Sequence, residues 1–231
     1  MAAGTAIVTG GTGGLGAAVV DRLLADGWRV VAPYRHEPAG GSLAARDGLL
    51  TLSADLFDPA AAAMVAAAAG DEPRLPLRGL VNVVGGFASG GRVHETPVEE
   101  FERQFQLNLR PTYLMTAAAL PGLVAAGGGS IVCVGSRAAL VPFSGAAGYI
   151  ASKAALTAFA QAVAVEYRRD GVRCNTVLPS TIDTPANRAA MPDADFSRWV
   201  APAQIAGVIS HLLSEDSLPT SGAAIPVYGR A

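Results

Sequence analysis

The chain has 231 residues, 51% hydrophobic and 16% charged, with a mean hydropathy of +0.35. That length and composition suit one domain spanning 1–231 with a full core, and they exclude a disordered chain. Nineteen acidic residues against 17 basic ones leave a net charge of −2 and a pI of about 5.9, so no basic footprint points to nucleic acid or an anionic membrane.

In chain order, "TAIVT" (5–9) reads as a short strand. It meets a glycine cluster and then "LGAAVVDRLLADG", a helical pattern closed by Gly27. "WRVVAP" (28–33) and "GLLTLSAD" (48–55) are the next strands, and an Ala-rich helix follows near 58–69. "LRGLVNVV" (77–84) is a fourth strand. Thr96, Pro97 and Glu99 then form a helix start: a cap, a first-turn proline and a capping-box glutamate. That helix runs through "EEFERQFQLNL", with Pro111 inside its continuation. "GGSIVCVGS" (128–136) is a fifth strand, 147–169 a long helix and "VRCNTVLP" (172–179) a sixth strand. A helix near 202–214 and "AAIPVYG" (223–229) complete the pattern.

Strands and helices alternate throughout, and several strands are apolar without alternation, as in sheets covered on both faces. The expected fold is a doubly wound (Rossmann) parallel α/β sheet of about seven strands, with helices on both faces. Cys133 and Cys174 sit inside apolar strand-like runs and read as reduced core residues. His36, His94 and His211 are scattered, and no Cys/His cluster has ligand spacing, so no metal is expected. The first strand begins at residue 5, which leaves no room for a signal peptide, and the Ala run at 60–69 is too short to span a bilayer. The expected location is the cytoplasm, with no membrane partner.

Three stretches carry chemistry. "TGGTGGLG" (9–16) joins the first strand to the first helix, the setting of a turn that cradles a pyrophosphate. Gly10, Gly14 and Gly16 allow the sharp turn and the close approach of a ligand. In "AAGYIASKAAL" (146–156), Tyr149 and Lys153 stand four positions apart, on one helix face. Alone, such a pair reads equally well as a solvated surface contact. Ser136 ends the fifth strand thirteen residues before Tyr149, and open α/β sheets place ligands at the carboxyl ends of their strands.

Taken together, "TGGTGGLG", Asn108, Ser136 and "YIASK" resemble the short-chain dehydrogenases/reductases over essentially the whole chain. The pattern includes T-G-x-x-x-G-x-G, a mid-chain Asn, a Ser about a dozen residues before the Tyr, and Y-x-x-x-K. The resemblance implies an NAD(P)-dependent oxidoreductase that moves a hydride between nicotinamide and a small carbonyl or alcohol. Asn108, Ser136, Tyr149 and Lys153 would be its catalytic residues. It also implies a cofactor site of Gly10, Thr12, Gly14, Leu15, Gly16, Tyr34, Arg35, Asp55, Leu56, Asn82, Gly85, Tyr149, Lys153, Pro179, Ile182 and Thr184. "NVVGG" (82–86) matches the family's N-x-x-G, Asp55 its adenine-contacting Asp, and "PSTIDT" (179–184) its P-G-x-I-x-T, with Ser180 replacing glycine.

The implied chemistry follows from the groups. Free tyrosine titrates near about 10, and an adjacent ammonium lowers that value. Tyr149 would be general acid in reduction and base in oxidation, and Lys153 would tune it and hold the nicotinamide ribose. Ser136 would stabilise charge on the carbonyl oxygen, and Asn108 would support a water-mediated proton relay. Cofactor choice is read at the end of strand two, "VVAPYRHEP". Tyr34 stands at the usual acidic position and Arg35 at the basic one, which favours NADP(H). His36 is a candidate assistant, and the nearby Glu37 keeps NAD(H) as the alternative.

The same resemblance implies that the segment 185–199 is a short substrate lid. Phe87, Val141, Phe143, Met191, Phe196 and Trp199 are either pocket or ordinary core. "GGFASGG" (85–91) and "LPSTIDTP" resemble dihydropteridine reductase, a runner-up that would act on a quinonoid pterin. Ser136 and Arg35 depart from that enzyme. The helices at 97–126 and 147–169 resemble the family's dimer-forming pair, with Ala151, Ala155, Ala158 and Ala162 allowing close approach. A homotetramer or homodimer is expected. A non-catalytic dinucleotide sensor is the alternative of another class, disfavoured by the presence of both Tyr149 and Lys153. A nucleotide-sugar epimerase would need a longer C-terminal region.

Overall fold

Period-two alternation along the strands sends Ala6 and Val8 to one sheet face and Ile7 to the other, all fully buried. Both faces therefore need covering. In the computed structural model, which describes residues 4–36 and 46–230, helices cover both. The strands are β1 (Thr5–Val8), β2 (Arg29–Tyr34), β3 (Leu49–Ser53), β4 (Leu77–Asn82), β5 (Gly129–Val134), β6 (Val172–Pro179) and β7 (Ala224–Val227). They form one parallel sheet in the order β3-β2-β1-β4-β5-β6-β7. The order reverses between β1 and β4, and the crevice at that switch point is where such sheets take ligands.

Helices α1 (Gly14–Ala25) and α7 (Pro202–Leu213) cover one face, with Val19, Leu23, Ile205 and Ile209 packed on Val30, Val81 and Val132. Helices α2 (Pro59–Gly70), α4 (Arg110–Ala125) and α5 (Ala147–Glu166) cover the other, through Val65, Met115, Leu123 and Leu156. Burying a side chain of this size contributes about 1.5–3 kcal/mol, so the two layers hold the sheet rigid beneath the site. Cys133 and Cys174 are free, buried members of the second layer.

The expected helix start at Thr96 is corrected. Its hydroxyl donates backwards, to the Gly91 and Arg92 carbonyls (3.1 and 3.0 Å), and caps nothing ahead of it. The glutamate that bonds back to its own turn is Glu95, which accepts from the Arg92 N–H (2.8 Å). Helix α3 starts at Val98 and ends at Asn108, and α4 begins anew at Arg110 with Pro111 in its first turn. In the lid, Thr184 caps a short helix, α6 (Pro185–Ala190), by accepting from the Asn187 N–H (3.2 Å).

Candidate active site

The glycine-rich turn is shaped by what side chains would strike. A Cβ on Gly16 would lie 2.0 Å from the Gly10 carbonyl oxygen, so α1 packs on the turn with only glycine at that position. Gly10 has φ +66°, a left-handed backbone that other residues resist. Gly13 begins α1 with no side-chain cap, so the helix presents free N–H groups at the switch point. Thr9 fastens the turn to β4: its hydroxyl oxygen accepts from the N–H groups of Val83 (2.9 Å) and Val84 (3.2 Å).

Beside this turn lies a cleft of about 290 Å³ lined in part by Gly10, Thr12, Tyr34, Arg35, Asp55 and Leu56. Six of the residues expected from the sequence thus share one wall. Pro33, His36, Ala54, Phe57, Val84 and Leu107 complete it. Val84 and Leu107 carried no sequence signal, because they arrive from a loop and a helix far along the chain. The Arg35 guanidinium lies over the Phe57 ring (5.8 Å to its centroid), and its Nε donates to His36 Nε2 (3.1 Å). Among the described residues its terminal nitrogens make no hydrogen bond. Glu37 lies outside the described residues.

A larger depression of about 780 Å³ opens at the opposite, amino-terminal ends of the strands, between Gly4, Arg78 and Gly128. Ligands of open parallel sheets sit at the carboxyl ends, so the smaller cleft is the candidate site. An uncapped helix N-terminus, a glycine cradle closed to any Cβ and the adjoining cleft together fit a dinucleotide.

The candidate catalytic groups meet past the ends of β4 and β5. Ser136 caps a 3₁₀ turn, its oxygen accepting from the Ala138 N–H (3.2 Å). That contact uses the oxygen as acceptor and not the hydroxyl proton. Tyr149 lies in the first turn of α5, with the Phe87 ring edge-on at 5.0 Å and Phe143 beyond it, 6.3 Å from Phe87. Burial pushes the Tyr149 phenol up, against the pull of the Ser136 hydroxyl beside it. The expected lowering by Lys153 is therefore corrected for the protein alone. The Lys153 ammonium, only 5% exposed, donates to the Val134 carbonyl oxygen (2.9 Å). It serves first to tie α5 to the end of β5.

Asn108 is fully buried at the break between α3 and α4. Its Oδ1 accepts from the Gly86 N–H (3.0 Å), and its Nδ2 donates to Ser152 Oγ (3.2 Å). Ser152 donates in turn to the Tyr149 carbonyl (2.8 Å). The loop after β4 is thus clamped to the helix that carries Tyr149. A Cβ on Gly85 would lie 2.7 Å from Asn108 Oδ1 and 3.3 Å from Lys153 Nζ, so glycine lets both groups approach the backbone. Asn82 is placed deeper, donating to Thr116 Oγ1 (3.0 Å) between β4 and α4. Pro179 ends β6 and Ile182 bridges to Val200. A Cβ on Gly14 would lie 2.8 Å from Thr184 Cγ2, so the lid touches the glycine turn directly. Leu15 and Gly16 are buried on the inner side of α1.

Burial of Lys153 has a measurable consequence. Desolvation lowers its pKa from 10.5 to about 8, with Cys133 pulling weakly upward. That corresponds to about 3 kcal/mol against the charged folded form. Below pH 8 the lysine is charged in both folded and unfolded chains, and the whole cost is felt. Between about pH 8 and 10.5 the folded chain sheds the proton first, so this group's contribution to stability rises with pH. In urea unfolding, Lys153→Met should gain most over wild type near pH 7.5 and less near pH 9.5. A gap independent of pH would contradict this environment for the lysine.

Among the described residues, no group of three His, Cys, Asp or Glu side chains could hold a metal ion. Among the described residues, no helix is long and apolar enough to cross a membrane. A doubly wound sheet with a phosphate-cradling turn, and a Ser, Tyr and Lys gathered beside it, defines a nicotinamide-dependent oxidoreductase. The sequence profile described as "short chain dehydrogenase" matches residues 4–195, and the chain belongs to that family. It is 34% identical to the 2-(R)-hydroxypropyl-CoM dehydrogenase of Xanthobacter autotrophicus, over 97% of this chain and 96% of that protein. The fold is shared with a short-chain type dehydrogenase/reductase from Mycobacterium ulcerans (TM-score 0.91, 26% identity, covering 98% of this chain and 88% of that one). A blue fluorescent protein from a metagenomic library, solved in complex with NADPH, is also similar (TM-score 0.86, 29% identity, covering 99% and 98%).

Proposed function

We propose that the chain is an NADP(H)-preferring carbonyl reductase or alcohol dehydrogenase in which Tyr149 is the proton donor and acceptor. The reading rests on one observation above others: the Tyr149 phenol, pushed up by burial, lies beside the Ser136 hydroxyl past the carboxyl end of β5. When bound, the reduced nicotinamide supplies a hydride to a carbonyl carbon. The chain's own residues manage the rest. Ser136 donates a hydrogen bond to the carbonyl oxygen as charge builds there, and Tyr149 delivers the proton. A raised pKa keeps that proton in place at neutral pH, which suits reduction. Lys153 holds the nicotinamide ribose, and Asn108 supports a proton relay through water. The glycine turn and the start of α1 hold the pyrophosphate, while Asp55 and Leu56 border the adenine.

Arg35 carries the choice of NADP(H). With no carboxylate at Tyr34, its terminal nitrogens suit a 2′-phosphate. Arg35→Ala should weaken NADPH binding about tenfold and leave NADH binding nearly unchanged. Tighter binding of NADH than NADPH by the wild type would overturn the preference. The same proposal includes a homodimer or homotetramer through α4 and α5, where Tyr113 and Val165 stand 54% and 65% exposed. Sedimentation as a strict monomer would oppose it. It also includes action in the cytoplasm on a small carbonyl or alcohol. The direct test is a substrate panel followed by NADPH oxidation, covering small ketones, quinones, 3-oxoacyl thioesters and quinonoid dihydropterin. Oxidation with ketones or 3-oxoacyl thioesters supports the carbonyl reading. Oxidation with the pterin alone would replace it.

A further inference from the structure

The rim around Tyr149 is mostly apolar, with Phe87 and Phe143 exposed at 59% and 49%. A cation stands at the same carboxyl end of the sheet, past the end of β5. Arg137 follows Ser136 directly in the chain, in the 3₁₀ turn that Ser136 caps. Its guanidinium is centred 5.1 Å above the ring of Tyr228, just beyond β7. Tyr228 is itself anchored, because Ser180, past the end of β6, donates to its carbonyl (2.7 Å). So the guanidinium rests on a fixed aromatic platform at the carboxyl ends of β5, β6 and β7. A guanidinium held over a ring face keeps N–H donors available for a further partner.

Among the described residues Arg137 has neither an ion pair nor a side-chain hydrogen bond. Arg188, on α6, shows the contrast. It also lies over an aromatic ring, that of Phe196 at 4.7 Å, but Asp183 neutralises it through two contacts of 2.5 and 2.9 Å. A positioned cation, unpaired among the described residues and one residue after the serine whose hydroxyl would meet the substrate carbonyl, is suited to one chemistry. It recognises an oxyanion through paired N–H donors.

We infer that Arg137 is a specificity residue, selecting carbonyl substrates that carry a carboxylate or similar oxyanion on the far side of the reacting carbon. This rests on the carbonyl-reductase reading above and names the substrate class of that same site. The test compares matched pairs that differ in charge but hardly in shape: 4-oxopentanoate, 5-oxohexanoate and 4-acetylbenzoate, each against its amide. For at least one pair, wild-type kcat/KM should favour the acid by about tenfold or more. Arg137→Met should bring that ratio close to one, and Arg137→Lys should retain part of it. The ratio cancels any general loss of activity or folding in the variants. Calorimetric binding of acid and amide to the NADP⁺-loaded enzyme reads the same preference without turnover. An acid-to-amide ratio unchanged by Arg137→Met overturns the inference, as does a wild type indifferent to charge in both measurements. So does an equal loss for acid and amide traced to weaker NADPH binding. A protein that binds the acids through Arg137 but reduces no ketone would refute the carbonyl reading alone.

Discussion

Tyr149→Phe should lower turnover by about a thousandfold or more while leaving NADPH affinity within a few fold of wild type. The substitution removes one hydroxyl and keeps the ring that meets Phe87 edge-on at 5.0 Å. Packing at the mouth of the site is retained. The Lys153 contact with Val134 does not involve the phenol, so the joint between α5 and β5 survives as well. What disappears is the proton for the developing alkoxide. Ser136 can still donate a hydrogen bond to that oxygen, but it has no basic partner to restore its proton. Steady-state kinetics with any accepted ketone, alongside fluorescence titration of NADPH, separates the two effects. Near-normal turnover would remove Tyr149 from the chemistry.

Gly16→Ala should be the most damaging glycine-to-alanine change among the described residues. Its Cβ would lie 2.0 Å from the Gly10 carbonyl oxygen and 2.6 Å from the Gly10 carbonyl carbon. Both are backbone atoms of the same tight turn, so no side chain can swing aside. The turn must open or α1 must shift away from β1. Overpacking in a rigid core commonly costs about 1–3 kcal/mol, and a clash with backbone belongs at or above the top of that range. The same shift moves the free N–H groups of α1, so NADPH binding should fall together with the urea midpoint. A variant with wild-type midpoint and affinity would show that the turn is far more yielding than its geometry.

Much of this was legible in the sequence because its signals are local. Strand β6 was legible at 172–179 as the strand-like run "VRCNTVLP" between Gly171 and Ser180, and the structure places it there. The turn at 9–16 was readable because glycine spacing itself reports where backbone must approach backbone. The misses involve contacts whose direction a pattern cannot show. Thr96 has the composition of a cap, yet its hydroxyl bonds backwards to Gly91 and Arg92. Tyr149 and Lys153 share a helix face, so spacing suggested that one tunes the other. The ammonium instead meets a carbonyl of β5, and burial governs the phenol. Thr184 followed by Pro185 was a readable helix start, but six residues of helix inside a lid give no periodicity to support it. Arg137 was silent altogether, because the ring that positions it lies on the far side of two more strands.

The central claim is hydride transfer from NADPH to a carbonyl carbon at the site framed by Ser136 and Tyr149. It is most directly measured with NADPH carrying deuterium at its transferable position, supplied to the wild-type enzyme with an accepted ketone. Mass spectrometry of the alcohol should locate one deuterium on the carbinol carbon, transferred from one face of the nicotinamide only. Alcohol whose carbinol hydrogen comes from water, or no alcohol from any ketone despite bound NADPH, would contradict it.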